Sequence, residues 1–204
     1  MLFYDAPNPA PNPRRVRIYL AERGIEVPMK PLSIPAREQK SPEFTAINPL
    51  GQVPTLVLDD GTAITESVSI CRWFEAEHGQ SPLFGRTPTE IALIDMHLRR
   101  AEMVLMTPVG MVWAHTHPFT AKAVVPQYKD FGESNRAKVA SAMGFFDRQL
   151  QGREWLASED YSMADIVLLT TIDFAGFIGI EMPEDAANLR AWHARASARP
   201  SARA

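Results

Sequence analysis

Along residues 1–79, short apolar runs alternate with helical stripes. Leu2 to Asp5 predicts a strand. Val16, Ile18, Tyr19 and Leu20 predict a helix with Pro13 in its first turn and Gly24 as its stop. Met29 to Leu32 predicts a second strand, and Ser41-Pro42-Glu43 opens a short helix through Phe44 and Ile47 with serine as cap. Val53 to Leu58 turns through Asp59-Asp60-Gly61 into Thr62 to Ile64, the pattern of a hairpin. A helix from Ser67 to about His78 ends at Gly79. The order β-α-β-α-β-β-α packs helices on a small mixed sheet.

After residue 79 the strand pattern stops. Residues 80–87 read as a linker, and residues 88–204 as an all-helical unit. Thr87-Pro88-Thr89-Glu90 is a capping box, so a long helix begins at Pro88. Leu93, Met96, Arg100, Met103 and Thr107 recur at helical spacing, and Pro108 is expected to kink that helix. Val139, Met143, Phe146 and Leu150 mark another helix. In Tyr161-Ser162-Met163-Ala164-Asp165, Ser162 caps, Asp165 returns a bond, and Tyr161 staples to Ile166. A last helix runs from about Ala186 past Trp192.

Composition narrows the function classes. With 204 residues, 46% hydrophobic, the chain can bury a real core, and a net charge of −3 without like-charge blocks points to no nucleic-acid partner. The basic turn of Arg14, Arg15 and Arg17 is too short to specify one; two of the three are expected in solvent or at a subunit contact. The single cysteine, Cys71, rules out an internal disulfide, a cysteine zinc cluster and a CxxC pair. With Val68 and Phe74 three residues to either side, it reads as a small buried hydrophobe. His115 and His117 are two apart and share no helix face, so no metal site is expected. No run reaches the ~18 apolar residues of a membrane span. The start, MLFYDAPNP, lacks the features of a signal peptide, and the expectation is a soluble, cytoplasmic protein. Proline is in excess: ten of the 17 fall in residues 1–54.

INPLGQVPTL followed by TESVSICRWFE, with YSMADIVLLTTIDF later in the chain, resembles the cytosolic glutathione transferases over the whole length. The resemblance implies a thioredoxin-like N-terminal domain, a helical C-terminal domain, glutathione as co-substrate and a homodimer. It implies a cis Pro54 that turns the backbone of Val53 toward the cysteinyl part of glutathione, with Gln52 beside it. Ser67, at a helix N-terminus, would receive the γ-glutamyl carboxylate, and Glu66 the γ-glutamyl ammonium. Gln39 and Lys40 would hold the glycyl carboxylate. Ala10, Met106, Met111, Trp113 and His117 fall where the family lines its pocket for an electrophile, and a methionine-rich, aromatic lining accepts varied apolar shapes.

The reaction implied needs glutathione as a thiolate. A free thiol with a pKa near ~8.5 is only about 3% ionised at pH 7, and lowering it by about two units takes ~2.7 kcal/mol. Several classes of the family place serine or cysteine for this purpose where this chain has Ala10, which can neither donate nor ionise. Asn12, just before Pro13 and the helix, offers a side-chain donor beside a helix N-terminus. The loop resembles bacterial transferases of the Nu class and related groups, which carry asparagine there and are associated with reducing small disulfides through bound glutathione. Asn8 is the second candidate, and both asparagines also suit turns between prolines. The expected function is a transferase that activates glutathione against an electrophile or small disulfide, with peroxidase as a possible side activity. The alternative is a non-catalytic module binding glutathione or a partner protein, for which Ala10 is the main support.

Overall fold

Four short strands carry the first part of the chain: β1 (Leu2–Asp5), β2 (Met29–Pro31), β3 (Thr55–Val57) and β4 (Ala63–Thr65). They pair in the order β2-β1-β3-β4; β1 and β2 are parallel, the other pairs antiparallel. Helices α1 (Pro11–Arg23), α2 (Pro42–Thr45) and α3 (Ser67–His78) complete the expected β-α-β-α-β-β-α order. A 3₁₀ turn at Glu38–Lys40 precedes α2. α1 stops at Gly24, whose φ of 61° is the left-handed conformation that closes a helix. Ser41 caps α2 by accepting from the Phe44 amide. Phe3, Val16, Ile18, Leu56, Ile70 and Phe74 form a fully buried core between sheet and helices.

The second part is helical: α4 (Pro88–Arg100), α5 (Thr107–Thr116), α6 (Lys129–Gln149), α7 (Met163–Phe177) and α8 (Ala187–Ala198). The capping box at Thr87 and Glu90 forms as expected. So does that at Ser162 and Asp165. α7 is apolar on every side and lies at the centre of the helical unit, where Met163 to Leu169 are all buried.

The computed structural model describes residues 1–204 and divides them into two units, Met1–Ser81 with Arg199–Ala204, and Pro82–Ala198. The linker and domain bounds drawn from composition therefore shift. Residues 82–87 group with the helices, and the last six residues with the sheet. Composition could not reveal this, because ASARPSARA offers polar and small residues that fit any surface.

The stripe at Leu93 and Met103 is out of phase. Leu93 is 38% and Met103 69% exposed, whereas Ile94, Leu98, Ala101 and Leu105 are buried. The core faces a neighbouring stripe of α4 from its start, and the helix then passes into a π-helical stretch at Ala101–Met106, in which the Thr107 amide donates five residues back to Glu102. Ile94, Leu98, Ala101, Leu105, Val109 and Val112 keep spacings of three and four, so the buried stripe is helical but one position away from the one the apolar pattern suggested. The wide turn stands just ahead of Pro108, where an ordinary α-helix would set the pyrrolidine ring against a carbonyl four residues back.

Candidate functional site

Strand register brings the candidate residues of the first unit together. Thr55 of β3 faces Thr65 of β4, so Val53-Pro54 on one strand and Glu66-Ser67 on the other continue past the same end of the hairpin. Tyr4 of β1 also faces Thr55, so the loop after Asp5 that leads to Ala10 and Asn12 leaves from that end too. The Val53–Pro54 bond is cis, as are Asn8–Pro9 and Val125–Pro126.

The segment before Pro54 is knotted by Asn48, a buried side chain not singled out in the sequence. Its Nδ2 donates to the Gln52 carbonyl at 2.7 Å and to Thr55 Oγ1 at 3.1 Å, and its Oδ1 accepts from the Leu50 amide. Gly51, at φ 57°, admits the neighbouring turn: a Cβ there would come within 2.7 Å of the Gln39 carbonyl oxygen and 2.8 Å of Lys40 Cδ. Lys40 Nζ donates to the Leu50 carbonyl at 2.8 Å. Gln39 and Lys40 thus lie directly against the loop that carries Gln52 and Val53.

At the start of α3, Glu66 has φ 65° and ψ 120°, a conformation that residues other than glycine rarely adopt. Ser67 follows as the first helical residue and is buried. Arg15 of α1, 3% exposed, reaches Ser67 Oγ with Nη1 at 3.5 Å. A guanidinium can only donate, so Ser67 is the acceptor, and its own hydroxyl hydrogen is left to point elsewhere. Together with the open amides of the first turn, this makes a site suited to a carboxylate.

The N-terminus of α1 is built differently. Ala10 occupies the cap position and supplies no side-chain bond. Pro11 and Pro13 carry no N–H, so Asn12 has the only backbone donor among the first three helical residues. Asn8 is engaged otherwise: its Oδ1 accepts from Arg17 Nη2 at 2.6 Å. Arg17 also pairs with Asp5 and donates to the Ala6 carbonyl, pinning the loop to the helix. The expectation that two of Arg14, Arg15 and Arg17 stand in solvent or at a subunit contact is corrected. Arg15 is buried, Arg17 holds the loop, and Arg14 Nη2 donates to the Ala202 carbonyl at 2.8 Å. Their spacing carried no such signal, since each role depends on an acceptor distant in sequence or in the loop.

Cys71 is fully buried, and burial pushes its thiol far above the ordinary range against the favourable charge of Arg15. In the second unit, Trp113 and His117 lie together, ring centroids 4.2 Å apart, with Phe119 and Phe174 also against the indole. Met111 is half-buried on α5, and Met106 half-buried at the end of the π-helical stretch. His115 turns instead to Tyr128 and Phe131, so the two histidines part company. No cluster of histidine, cysteine, aspartate and glutamate suited to a metal ion is present, and no helix is long and apolar enough to cross a membrane.

Residues 10–77 match the family described as glutathione S-transferase, N-terminal domain, and residues 109–200 the glutathione S-transferase C-terminal domain. Glutathione S-transferase 2 of Saccharomyces cerevisiae is 39% identical over 204 residues, covering 98% of this chain and 87% of the yeast protein. Glutathione S-transferase D7 of Drosophila melanogaster is 30% identical, over 85% of this chain and 74% of its own length. The crystal structure of Gtt2 from Saccharomyces cerevisiae superposes with a TM-score of 0.93 at 38% identity, covering 100% of this chain and 99% of that one. That of a glutathione S-transferase domain-containing protein from Marinobacter aquaeolei does so at 0.92 and 35%, covering 98% and 99%.

Proposed function

Because the chain belongs to the glutathione S-transferase family, we propose that it binds glutathione at the sheet end of its first unit and ionises the thiol there for attack on an electrophilic carbon or a small disulfide. The observation that carries this reading is the register of β3 against β4 and β1, which gathers Val53-Pro54, Glu66-Ser67 and the start of α1. In this reading the Val53 backbone pairs with the tripeptide as an added strand would. Ser67 donates to the γ-glutamyl carboxylate, and Glu66 accepts from the ammonium. Gln39, Lys40 and Gln52 attend the glycyl end. Asn12 donates to the thiolate from its side chain, aided by its backbone N–H and the positive end of α1. Asn8 is the weaker candidate, because it lies before α1, away from the positive end of the helix, with its side chain tied to Arg17 through Oδ1.

Attack then proceeds by the sulfur lone pair. On carbon it displaces the leaving group and yields a thioether. On a disulfide it yields a mixed disulfide and releases one thiolate; a second glutathione thiolate then attacks the mixed disulfide, giving glutathione disulfide and releasing the other. Cys71, buried with its thiol held protonated, takes no part. Met106, Met111, Trp113 and His117 of the helical unit, with Ala10, are assigned to the second substrate by family resemblance. A peroxidase side activity and a homodimer rest on the same resemblance.

A second reading, a binding module without turnover, is favoured by Ala10, which leaves the cap position without a hydroxyl or thiol. Titration of the thiol of bound glutathione, followed by thiolate absorbance, decides between them. The transferase reading expects a pKa at least about one unit below the free value of ~8.5; a bound thiol still above 8 supports the binding module. Asn12→Ala is expected to raise the bound-thiol pKa and lower the conjugation rate about tenfold or more, and an unchanged rate removes Asn12 from the mechanism.

A further inference from the structure

The last six residues do not trail from the helical unit; they lie along α1. Arg199 makes two parallel bonds to Glu22, from Nε and Nη2, both at 2.8 Å. Ser201 Oγ donates to the same carboxylate, and Ser201 and Ala202 are buried. Eight residues earlier on α1, about 12 Å along the helix, Arg14 Nη2 donates to the Ala202 carbonyl. The segment therefore touches α1 near both of its ends.

The two ends of α1 differ in how they are held. Val16, Ile18, Tyr19 and Leu20 bury the middle and C-terminal part in the core, and Pro13 and Arg15 are buried nearer the N-terminus. At the N-terminal turn, Ala10 gives no cap, two prolines give no N–H, and the Arg14 amide reaches the Ala10 carbonyl only at 3.5 Å. Two long side chains make up the deficit. Arg17 grips the loop on one side, and Arg14 grips the returning segment on the other. Burial would push Glu22's carboxyl up, but the bonds from Arg199 and Ser201 outweigh it and hold the carboxyl below its usual value, so Glu22 stays charged and paired near neutrality.

We propose that Arg199–Ala204 is a strap that positions the first turn of α1, and that Arg14, Glu22 and Arg199 are positioning residues for the thiol donor Asn12. The proposal rests on the glutathione reading above. An error of about 1 Å in such a donor costs up to about 100-fold in rate, while the buried middle and C-terminal part of α1 keeps the helix folded. Loss of the strap therefore damages thiol ionisation more than stability.

The test compares the wild-type chain with Arg199→Ala, Arg199→Lys, Glu22→Gln, Arg14→Ala and the Arg14→Ala/Arg199→Ala double variant. The readouts are the pKa of bound glutathione thiol, the KM for glutathione, and the urea midpoint. Arg199→Ala and Arg14→Ala are each expected to raise the bound-thiol pKa by about half to one unit, three- to tenfold less thiolate at neutral pH. The double variant is expected to lose no more than the worse single one, because both cut the same strap. Arg199→Lys recovers part of the loss by keeping one bond to Glu22, and Glu22→Gln covers the case in which Arg199→Ala does not fold. Additive losses, or variants with unchanged thiol pKa beside a wild type that ionises glutathione, overturn the strap alone. A wild type that leaves bound glutathione un-ionised overturns the transferase reading and the strap with it.

Discussion

Glu66 and Ser67 stand next to each other, yet only one was legible in full. A serine before a helical stripe announces a helix N-terminus, and Ser67 is indeed the first residue of α3, although Glu66 holds the cap position. Glu66 carries a backbone at φ 65°, which no local residue preference foretells. Such a conformation costs on the order of 1–3 kcal/mol and is kept where it serves a site. Glu66→Gly relieves that cost, and urea unfolding is expected to show a gain of about 1 kcal/mol in stability. The same variant removes the carboxylate proposed to accept from the γ-glutamyl ammonium, and on that proposal glutathione affinity is expected to fall about tenfold to 100-fold. A variant that is less stable, or that binds as well as wild type, refutes the assignment. Arg15 was illegible for another reason: its value lies in touching Ser67, 52 residues away.

Among the elements, α7 was the most predictable. Its capping box and continuous apolar sequence both follow from local chemistry. What the sequence could not show is that Asp165 serves three neighbours at once. Its carboxylate accepts from the Ser162 amide and hydroxyl, the Leu156 amide and the Trp192 indole, joining α7 to the preceding loop and to α8. Asp165→Asn turns one acceptor into a donor facing donors, and a loss of at least about 3 kcal/mol is expected from urea unfolding monitored by tryptophan fluorescence. A loss below about 1 kcal/mol would mean the hub is not cooperative. The long helix from Pro88 was harder. Its existence was plain, but apolar residues occupy more than one face, so the stripe at Leu93 and Met103 competed with the one at Ile94, Leu98 and Leu105 that the core buries.

At the scale of the molecule, the helical unit buries a titratable group with no stated task. His97 is 3% exposed, and burial, with the charges of Arg100 and Arg153, lowers its pKa to about 4. Between the ordinary value near 6.5 and about 4, the unfolded chain takes up a proton that the folded chain refuses. Its contribution is thus complete above pH 6.5 and shrinks as pH falls, by about 3 kcal/mol on reaching the folded value. Urea midpoints measured from pH 7.5 to 4.5 are expected to drop more steeply for the wild-type chain than for His97→Gln. Parallel slopes would show that other groups govern the acid limb.

The order of elements, the caps at Ser41, Thr87 and Ser162 and the hairpin were determined by the sequence, because each depends on residues within a few positions of one another, whereas the candidate residues around NPLGQVP and ES came through family resemblance. Tertiary structure alone decided which face of the Pro88 helix is buried, what Arg14, Arg15 and Arg17 hold, and that Arg199–Ala204 returns to α1. Those outcomes depend on acceptors and neighbours supplied by distant segments. A residue's type states what it can donate or accept; only folding supplies the partner.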